Sequence, residues 1–157
     1  MIIKIIEFLR IAGATFGVFW AYNVGMETST PHESVLHIIT PWLIVSIAGT
    51  SAIEGLFFGE QTAAEKGFVN DGNYAYQSRI GLLSYAVISL LVYFENWGSK
   101  AELTIILTFM FFMLFSALNH AYQAVVKKNY HWQNLNRPFL TILLIMAIWH
   151  PVYNLLF

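Results

Sequence analysis

The stretch Ser46-Ile-Ala-Gly-Thr-Ser-Ala-Ile-Glu-Gly-Leu-Phe-Phe-Gly59 decides the fold, because it places one carboxylate, Glu54, near the end of an apolar run long enough to cross a bilayer. On a helix, Ser46, Thr50 and Glu54 recur every four residues and share one polar stripe. A neighbouring stripe consists of small residues, which is typical of close helix packing in membranes: Ala48, Ala52, Gly55 and Gly59. Because an ionisable group inside a bilayer is costly in free energy, we expect Glu54 to have a partner on another helix.

The composition indicates an integral membrane protein. Of the 157 residues, 57% are hydrophobic and 11% are charged, whereas soluble domains average about 45–50% apolar and about 25% charged residues. The apolar residues fall into blocks that short polar connectors separate, which is the pattern of a polytopic membrane protein. The formal net charge of −1 gives no reason to expect nucleic acid as a partner, and the absence of cysteine excludes disulfides and thiolate chemistry.

Five blocks approach the ~20 residues that a transmembrane helix requires. They cover residues 8–26, 35–59, 74–94, 103–126 and 139–157. The sequence therefore predicts an all-α fold, a polytopic transmembrane helical bundle of about five spans that forms a single domain over residues 1–157. Four spans, with the first or third segment only partly embedded, are the alternative, because Lys4, Glu7 and Arg10 form a charged face along residues 2–10, and because only residues 80–94 of the third block are without charge.

The distribution of basic residues predicts the orientation. With the N-terminus in the cytoplasm, seven of the eight basic residues fall on the inner side, as the positive-inside rule requires. These seven are Lys4, Arg10, Lys66, Arg79, Lys127, Lys128 and Arg137, and the one on the outer side is Lys100. We therefore expect a multi-pass protein of a prokaryotic inner membrane, with the N-terminus in the cytoplasm and the C-terminus outside.

Polar residues inside the spans concentrate near the inner ends of three helices. Glu54 lies there on the second span, Arg79 on the third and His120 on the fourth. Three further candidates lie on the third and fourth spans: Gln77, Asn119 and Gln123. Two interpretations stay open. Glu54 and Arg79 form a buried ion pair that fixes helix register, or a carboxylate beside an imidazole forms a site for a proton, an ion or a small polar ligand.

A second group of polar residues lies on the predicted outer side. It consists of His32, Glu33, His37 and His150. Their spacing is not one of the recurrent zinc signatures, so they are only a weak candidate for a metal site, and no metal or cofactor is assigned from the sequence. A solvated loop histidine and a hydrogen-bonded histidine within the bundle explain these residues more simply.

Short motifs in the second half of the chain indicate a family. They are Tyr76-Gln77 followed by Gly81, the run Asn119-His120-Ala121-Tyr122-Gln123, and Asn134 and Asn136 before another apolar helix. This pattern resembles a family of small prokaryotic membrane proteins of unknown function, and it covers about half of the chain. The resemblance implies a compact helical membrane fold with a histidine of unknown role.

Two classes of function are consistent with these patterns. The preferred hypothesis is binding or passage of a proton, an ion or a small polar molecule at the inner cluster, with Glu54 as charge carrier, His120 as proton partner and Arg79 as counter-ion. The alternative is a non-catalytic accessory subunit that stabilises a larger membrane complex. An enzyme is less favoured, because no nucleophile has a base at diagnostic spacing. The expected partners are membrane lipids and either further copies of this chain or the subunits of a larger complex.

The predicted orientation can be tested with single cysteines, since the chain has none of its own. Ser99→Cys should react with an impermeant thiol reagent in intact cells, because it lies in an outer connector. Asn129→Cys should react only after the membrane is permeabilised. Labelling of Asn129→Cys without labelling of Ser99→Cys would invert the orientation.

Overall fold

The computed structural model of the chain describes residues 2–65, 67–68 and 72–157, and within these ranges it contains five helices and no strand. The helices are α1 (Ile2–Gly25), α2 (Pro31–Glu65), α3 (Asn73–Phe94), α4 (Ser99–Val125) and α5 (Trp132–Leu156). Each predicted block lies on one of them, so the predicted all-α fold is confirmed. Lys66, which the sequence assigns to an inner connector, lies outside the described residues.

Four of these helices, α2 to α5, are long and apolar enough to cross a membrane. Helix α1 has 24 residues but does not belong to this group. Three charged residues, Lys4, Glu7 and Arg10, lie in its N-terminal part. The choice between four and five spans therefore depends on α1 alone.

Helix α1 packs antiparallel against α2 at very short range. Gly25 of α1 lies opposite Val35, near the start of α2, and Gly13 lies opposite Ser46, farther along α2. A Cβ atom at Gly25 would come within 2.7 Å of the Val35 backbone nitrogen, so only glycine permits this approach. Small residues bring the two backbones together in the way that is typical of membrane helices.

Helix α2 is the centre of the bundle and contacts each of the other four helices. In its most apolar stretch 61% of the residues are buried, compared with 17–39% for α3, α4 and α5. Six large side chains with no solvent exposure form the middle of the core: Leu36, Ile39, Leu43, Ile44, Ile106 and Phe109. The apolar core therefore lies mainly on α2 and α4.

Two irregularities lie on either side of Glu54 in α2. Residues Val45–Gly49 form a π-helical turn immediately before Thr50. Phe58 has the non-helical dihedral angles φ −128° and ψ 27°, which bend the helix one turn after Glu54. A π turn inside an α-helix rotates the residues that follow it, and such turns are frequent at functional sites. The orientation of the Glu54 side chain therefore depends on these two irregularities, which the regular four-residue spacing of Ser46, Thr50 and Glu54 does not describe.

The close approach of α1 and α2 predicts a strong effect of adding volume at Gly17. Any Cβ there would overlap the base of the Trp42 side chain. We expect Gly17→Val to lower the stability by about 1–3 kcal/mol, as overpacking of a tight contact does. The matched control is Gly81→Val on α3, because a Cβ at Gly81 meets nothing within 4 Å. Thermal unfolding in mild detergent measures both variants, and equal melting temperatures would contradict the close contact.

Candidate functional site

Glu54 is buried, with 2% of its surface exposed, and it forms an ion pair with Arg10 of α1. The Arg10 guanidinium donates from Nη2 to the Glu54 carboxylate and from Nε to Thr50 Oγ1, at 3.0 Å. Thr50 and Glu54 are one turn apart on α2, so a single guanidinium reaches both acceptors. The pair joins α1 to α2 at the end of their antiparallel contact.

The structure therefore supplies a partner for Glu54 that the sequence did not indicate. The expected partner was Arg79, whereas Arg10 was assigned to the charged face at the start of the first helix. A signal for Arg10 was present: it lies three residues before Gly13 and seven before Gly17, and so shares the helix face that carries the small-residue stripe. That face packs on α2, which buries Arg10 to 9% exposure.

Arg79 of α3 lies across the small-residue stripe of α2. A Cβ atom at Gly55 would come within 2.7 Å of Arg79 Cγ, and Gly59 provides the space for the guanidinium group. The guanidinium carbon is also 5.8 Å from the centroid of the Tyr76 ring. The stripe at Gly55 and Gly59 thus accommodates a long cationic side chain as well as a neighbouring backbone.

Arg137 of α5 is a third arginine in this region, and the sequence assigned it to a connector. Helix α5 begins at Trp132, so Arg137 belongs to the helix and is partly buried. It interacts electrostatically with Arg10, Glu54 and Glu7. Arg137 therefore extends the ion pair of α1 and α2 to a third helix.

His120 of α4 is buried and has a defined hydrogen-bonding state. Its Nδ1 atom lies 2.7 Å from Asn134 Oδ1, and Asn134 Nδ2 donates to the backbone oxygen of Asn129 at 3.1 Å. Because this second bond assigns the amide nitrogen, Asn134 Oδ1 is the acceptor and His120 Nδ1 carries the proton. In the neutral imidazole, Nε2 is then the nitrogen that accepts a proton.

A cavity of about 280 Å³ brings Arg79, His120 and Arg137 together. It lies between α2, α3, α4 and α5, and its other polar lining residues are Ser51, Thr62, Ser78 and Ser116. The Thr62 hydroxyl is buried and has no hydrogen-bond partner in the described part of the chain. Within residues 2–65, 67–68 and 72–157, every charged side chain that lines this cavity is an arginine. We call it the inner cavity.

The other inner candidates from the sequence are not part of this lining. Gln77 and Asn119 are exposed, and Gln123 is partly buried. None of the three is among the described residues that line the inner cavity. The structure thus brings Arg79 and His120 together, adds Arg137, and places Glu54 beside Arg137 through their electrostatic interaction.

On the opposite side of the core, Nδ1 of His37 is in hydrogen-bonding contact with the carboxylate of Glu102 of α4. Glu102 is 3% exposed, and the His37 ring stacks on Tyr93 of α3 with 4.4 Å between the ring centroids. This pair links α2 to α4, and Tyr93 adds α3 to the contact. The sequence did not single out Glu102, because it lies in a short acidic connector that resembles a solvated surface.

The remaining outer candidates are distributed over separate contacts. The His32 ring lies 4.9 Å from the ring of His150 of α5, while Glu33 accepts a hydrogen bond from the Ser99 hydroxyl at 3.5 Å. No group of three histidine, cysteine or acidic residues that would hold a metal ion occurs in the part of the chain that the structure describes. These side chains therefore form pairs, and each pair joins two helices.

Comparison with known proteins identifies one family. The family model described as "Family of unknown function (DUF6790)" matches residues 7–154, a range that includes part or all of each of the five helices. No curated protein and no solved structure matches the chain. The resemblance to a family of unknown function is thereby confirmed, whereas its prokaryotic and membrane character stays a prediction.

The arrangement of arginines around Glu54 predicts that removal of Glu54 and removal of Arg10 lower the stability by unequal amounts. Glu54→Leu should destabilise the bundle by about 3–5 kcal/mol, because it leaves buried arginines without their carboxylate. Arg10→Leu should cost less, since Arg137 stays beside Glu54. The double variant should be more stable than Glu54→Leu alone.

Thermal unfolding in detergent measures these differences, with Lys4→Leu as the matched control because Lys4 is exposed on the same helix as Arg10. A cost of the double variant equal to the sum of the two single costs would show that Glu54 and Arg10 do not interact.

Proposed function

Because the chain belongs to the DUF6790 family, whose function is unknown, we propose a function from the geometry of the inner cavity: the protein binds a small anion inside a membrane helix bundle. The observation that supports this proposal is the convergence of Arg79 and Arg137 on one cavity whose described charged residues are all basic. A guanidinium offers several N–H donors in a planar array that matches carboxylate and phosphate oxygens.

The basic lining of the inner cavity favours an anion over a cation. Within the described residues, the charged side chains that line it are those of Arg79 and Arg137, while Glu54 forms an ion pair with Arg10 on the α1 side. An anion in the inner cavity would therefore lie next to two guanidinium groups.

The size of the cavity limits the ligand. A volume of about 280 Å³ accommodates several water molecules at about 30 Å³ each. It therefore suits a small inorganic oxyanion or a short carboxylate, and it is at the lower limit of the ~300–1,000 Å³ that drug-sized ligands occupy. The buried Thr62 hydroxyl supplies one further hydrogen-bonding group for such a ligand.

His120 gives the proposed site a dependence on pH. His120 lines the cavity, and with Nδ1 held by Asn134 a second proton on its imidazole would add a positive charge to the cavity wall. An anion should therefore bind more tightly when His120 is protonated. In this proposal His120 is the proton partner, Arg79 and Arg137 bind the anion, and Glu54 positions the arginines.

Binding explains the geometry better than passage through a single chain. The fully buried layer that contains Ile39, Leu43 and Phe109 is mostly apolar, and the buried hydroxyls of Thr40 and Ser89 do not form a continuous polar route. A route across the membrane would therefore require a gap between copies of the chain, as in a homo-oligomer. In the proposed placement, α1 and α2 cross a prokaryotic inner membrane as one hairpin, and the N-terminus and the cavity face the cytoplasmic side.

The proposed function predicts a stabilisation by small anions that depends on Arg79. Sodium phosphate and sodium acetate, compared with sodium chloride at equal ionic strength, should raise the melting temperature of the purified protein. A ligand at a hundred times its dissociation constant adds about 2.7 kcal/mol of stability. Arg79→Gln should abolish the shift, and His120→Gln should remove its increase between pH 8 and pH 6.

The matched control for both variants is Lys127→Gln, because Lys127 is an exposed cation just after the end of the helix that contains His120. Its anion-dependent shift should equal that of the native protein. A shift that persists in Arg79→Gln would place the anion elsewhere. No shift with either anion would exclude the proposal and favour the rival function, a non-catalytic accessory subunit in which the same residues only fix helix register.

A further inference from the structure

A second cavity, of about 460 Å³, lies between α1 and α5 and is distinct from the inner cavity. Most of its wall is apolar, with Ala14 and Val18 on α1 facing Leu140 and Leu144 on α5. Its lining also includes Phe19, which is 63% exposed. The cavity is therefore a groove that opens to the surroundings of the bundle, and we call it the α1–α5 groove.

One end of the α1–α5 groove is polar and carries charges of both signs. Arg10 and Arg137 supply guanidinium groups, and Glu7 supplies a carboxylate. The amide of Asn136 also lines this end, and its Oδ1 atom is buried without a hydrogen-bond partner in the described residues. A buried carbonyl oxygen without a donor is unfavourable unless a ligand or water supplies one.

The length of the groove matches one leaflet of a bilayer. Along α1 it extends from Glu7 to Phe19, which is about 18 Å at ~1.5 Å per residue. The hydrocarbon core of a bilayer is about 30 Å thick, so one leaflet contributes about 15 Å. An acyl chain that begins at the polar end would therefore lie along the apolar wall to its other end.

We propose that the α1–α5 groove binds a zwitterionic phospholipid with a primary amine in its headgroup, of the phosphatidylethanolamine type. The phosphate lies at Arg10 and Arg137, where guanidinium groups favour an oxyanion. The ammonium group lies at Glu7 and donates to Asn136 Oδ1. One acyl chain follows Ala14 and Leu144 along the groove.

Both signs of charge at the polar end discriminate against other headgroups. An anionic lipid satisfies the arginines but brings no positive charge to Glu7. A choline headgroup has the same charges as ethanolamine, but its trimethylammonium group has no N–H to donate to Asn136 Oδ1. The comparison of ethanolamine with choline lipids therefore isolates the hydrogen bond, and the comparison with glycerol lipids isolates the charge.

This proposal does not depend on anion binding in the inner cavity. The two cavities share Arg137, Ile47 and Met113 as lining residues, so variants of Arg137 would affect both. Glu7 and Asn136 line only the α1–α5 groove among the described lining residues, and they are the positions to change.

The test uses the full chain reconstituted in vesicles that contain equal amounts of phosphatidylethanolamine, phosphatidylcholine and phosphatidylglycerol with identical acyl chains. After gentle extraction and purification, the lipid that stays bound is quantified by mass spectrometry. We expect phosphatidylethanolamine to be enriched about tenfold over each of the other two, which corresponds to one charge-assisted hydrogen bond. Glu7→Gln should reduce the enrichment over phosphatidylglycerol to about twofold or less, because it removes the carboxylate that attracts the ammonium group.

Two further variants keep the test decisive. Glu60→Gln is the matched control, because Glu60 is an exposed carboxylate on α2, and its lipid ratio should equal that of the native protein. Thr15→Trp adds volume at an exposed lining position and should reduce all bound lipid at unchanged melting temperature. Asn136→Leu tests the hydrogen bond separately, also if Glu7→Gln does not fold, because removal of the acceptor should reduce the enrichment over phosphatidylcholine.

The proposal is overturned by enrichment of phosphatidylglycerol, by equal enrichment of the ethanolamine and choline lipids, or by bound lipid in the input ratio. It is equally overturned if Glu60→Gln changes the ratio as much as Glu7→Gln does, because the effect would then be one of overall charge.

Discussion

Burial of the Glu54 carboxylate is the constraint on which the rest of the bundle depends. A carboxylate removed from water needs a cation and hydrogen-bond donors within reach. Arg10 supplies the cation and a donor to Glu54, and it donates a second hydrogen bond to Thr50. Since Arg10 is on α1 and Glu54 on α2, the pair aligns the two helices along their length. Arg137 then adds α5 to the same electrostatic cluster.

Close packing of backbones makes this arrangement possible. Gly13 and Gly17 let α1 approach α2, and the same device at Gly55 and Gly59 creates the space in which Arg79 lies. Small residues in a membrane helix are usually explained by helix–helix contact alone. The stripe at Gly55 and Gly59 has a second effect, because the Arg79 side chain occupies the volume that larger residues would fill, beside the inner cavity.

Arg137 divides the polar inner region into two environments. On one side lies the inner cavity, in which His120 and Arg79 face a space for small ligands. On the other lies the α1–α5 groove, whose apolar wall ends at Glu7 and Asn136. Arg137 lines both the proposed anion site and the proposed lipid site, so occupancy of either site should influence the orientation of its side chain.

The sequence by itself determined the all-α class, the five helical blocks and the concentration of polar residues near one end of the bundle, because hydropathy and residue spacing act within single helices. It also identified Arg79 and His120, which share a cavity. Only the tertiary structure decided which cation meets Glu54, that Arg137 belongs to a helix, and that His37 pairs with Glu102. The Arg10–Glu54 and His37–Glu102 contacts join residues that are 44 and 65 positions apart in the sequence. The place of Arg137 depends on where α5 begins. The π turn at residues 45–49 also rotates the part of α2 that carries Glu54 relative to the part that carries His37. Helix spacing predicts which residues share a face, but the facing partner is set by how the helices pack.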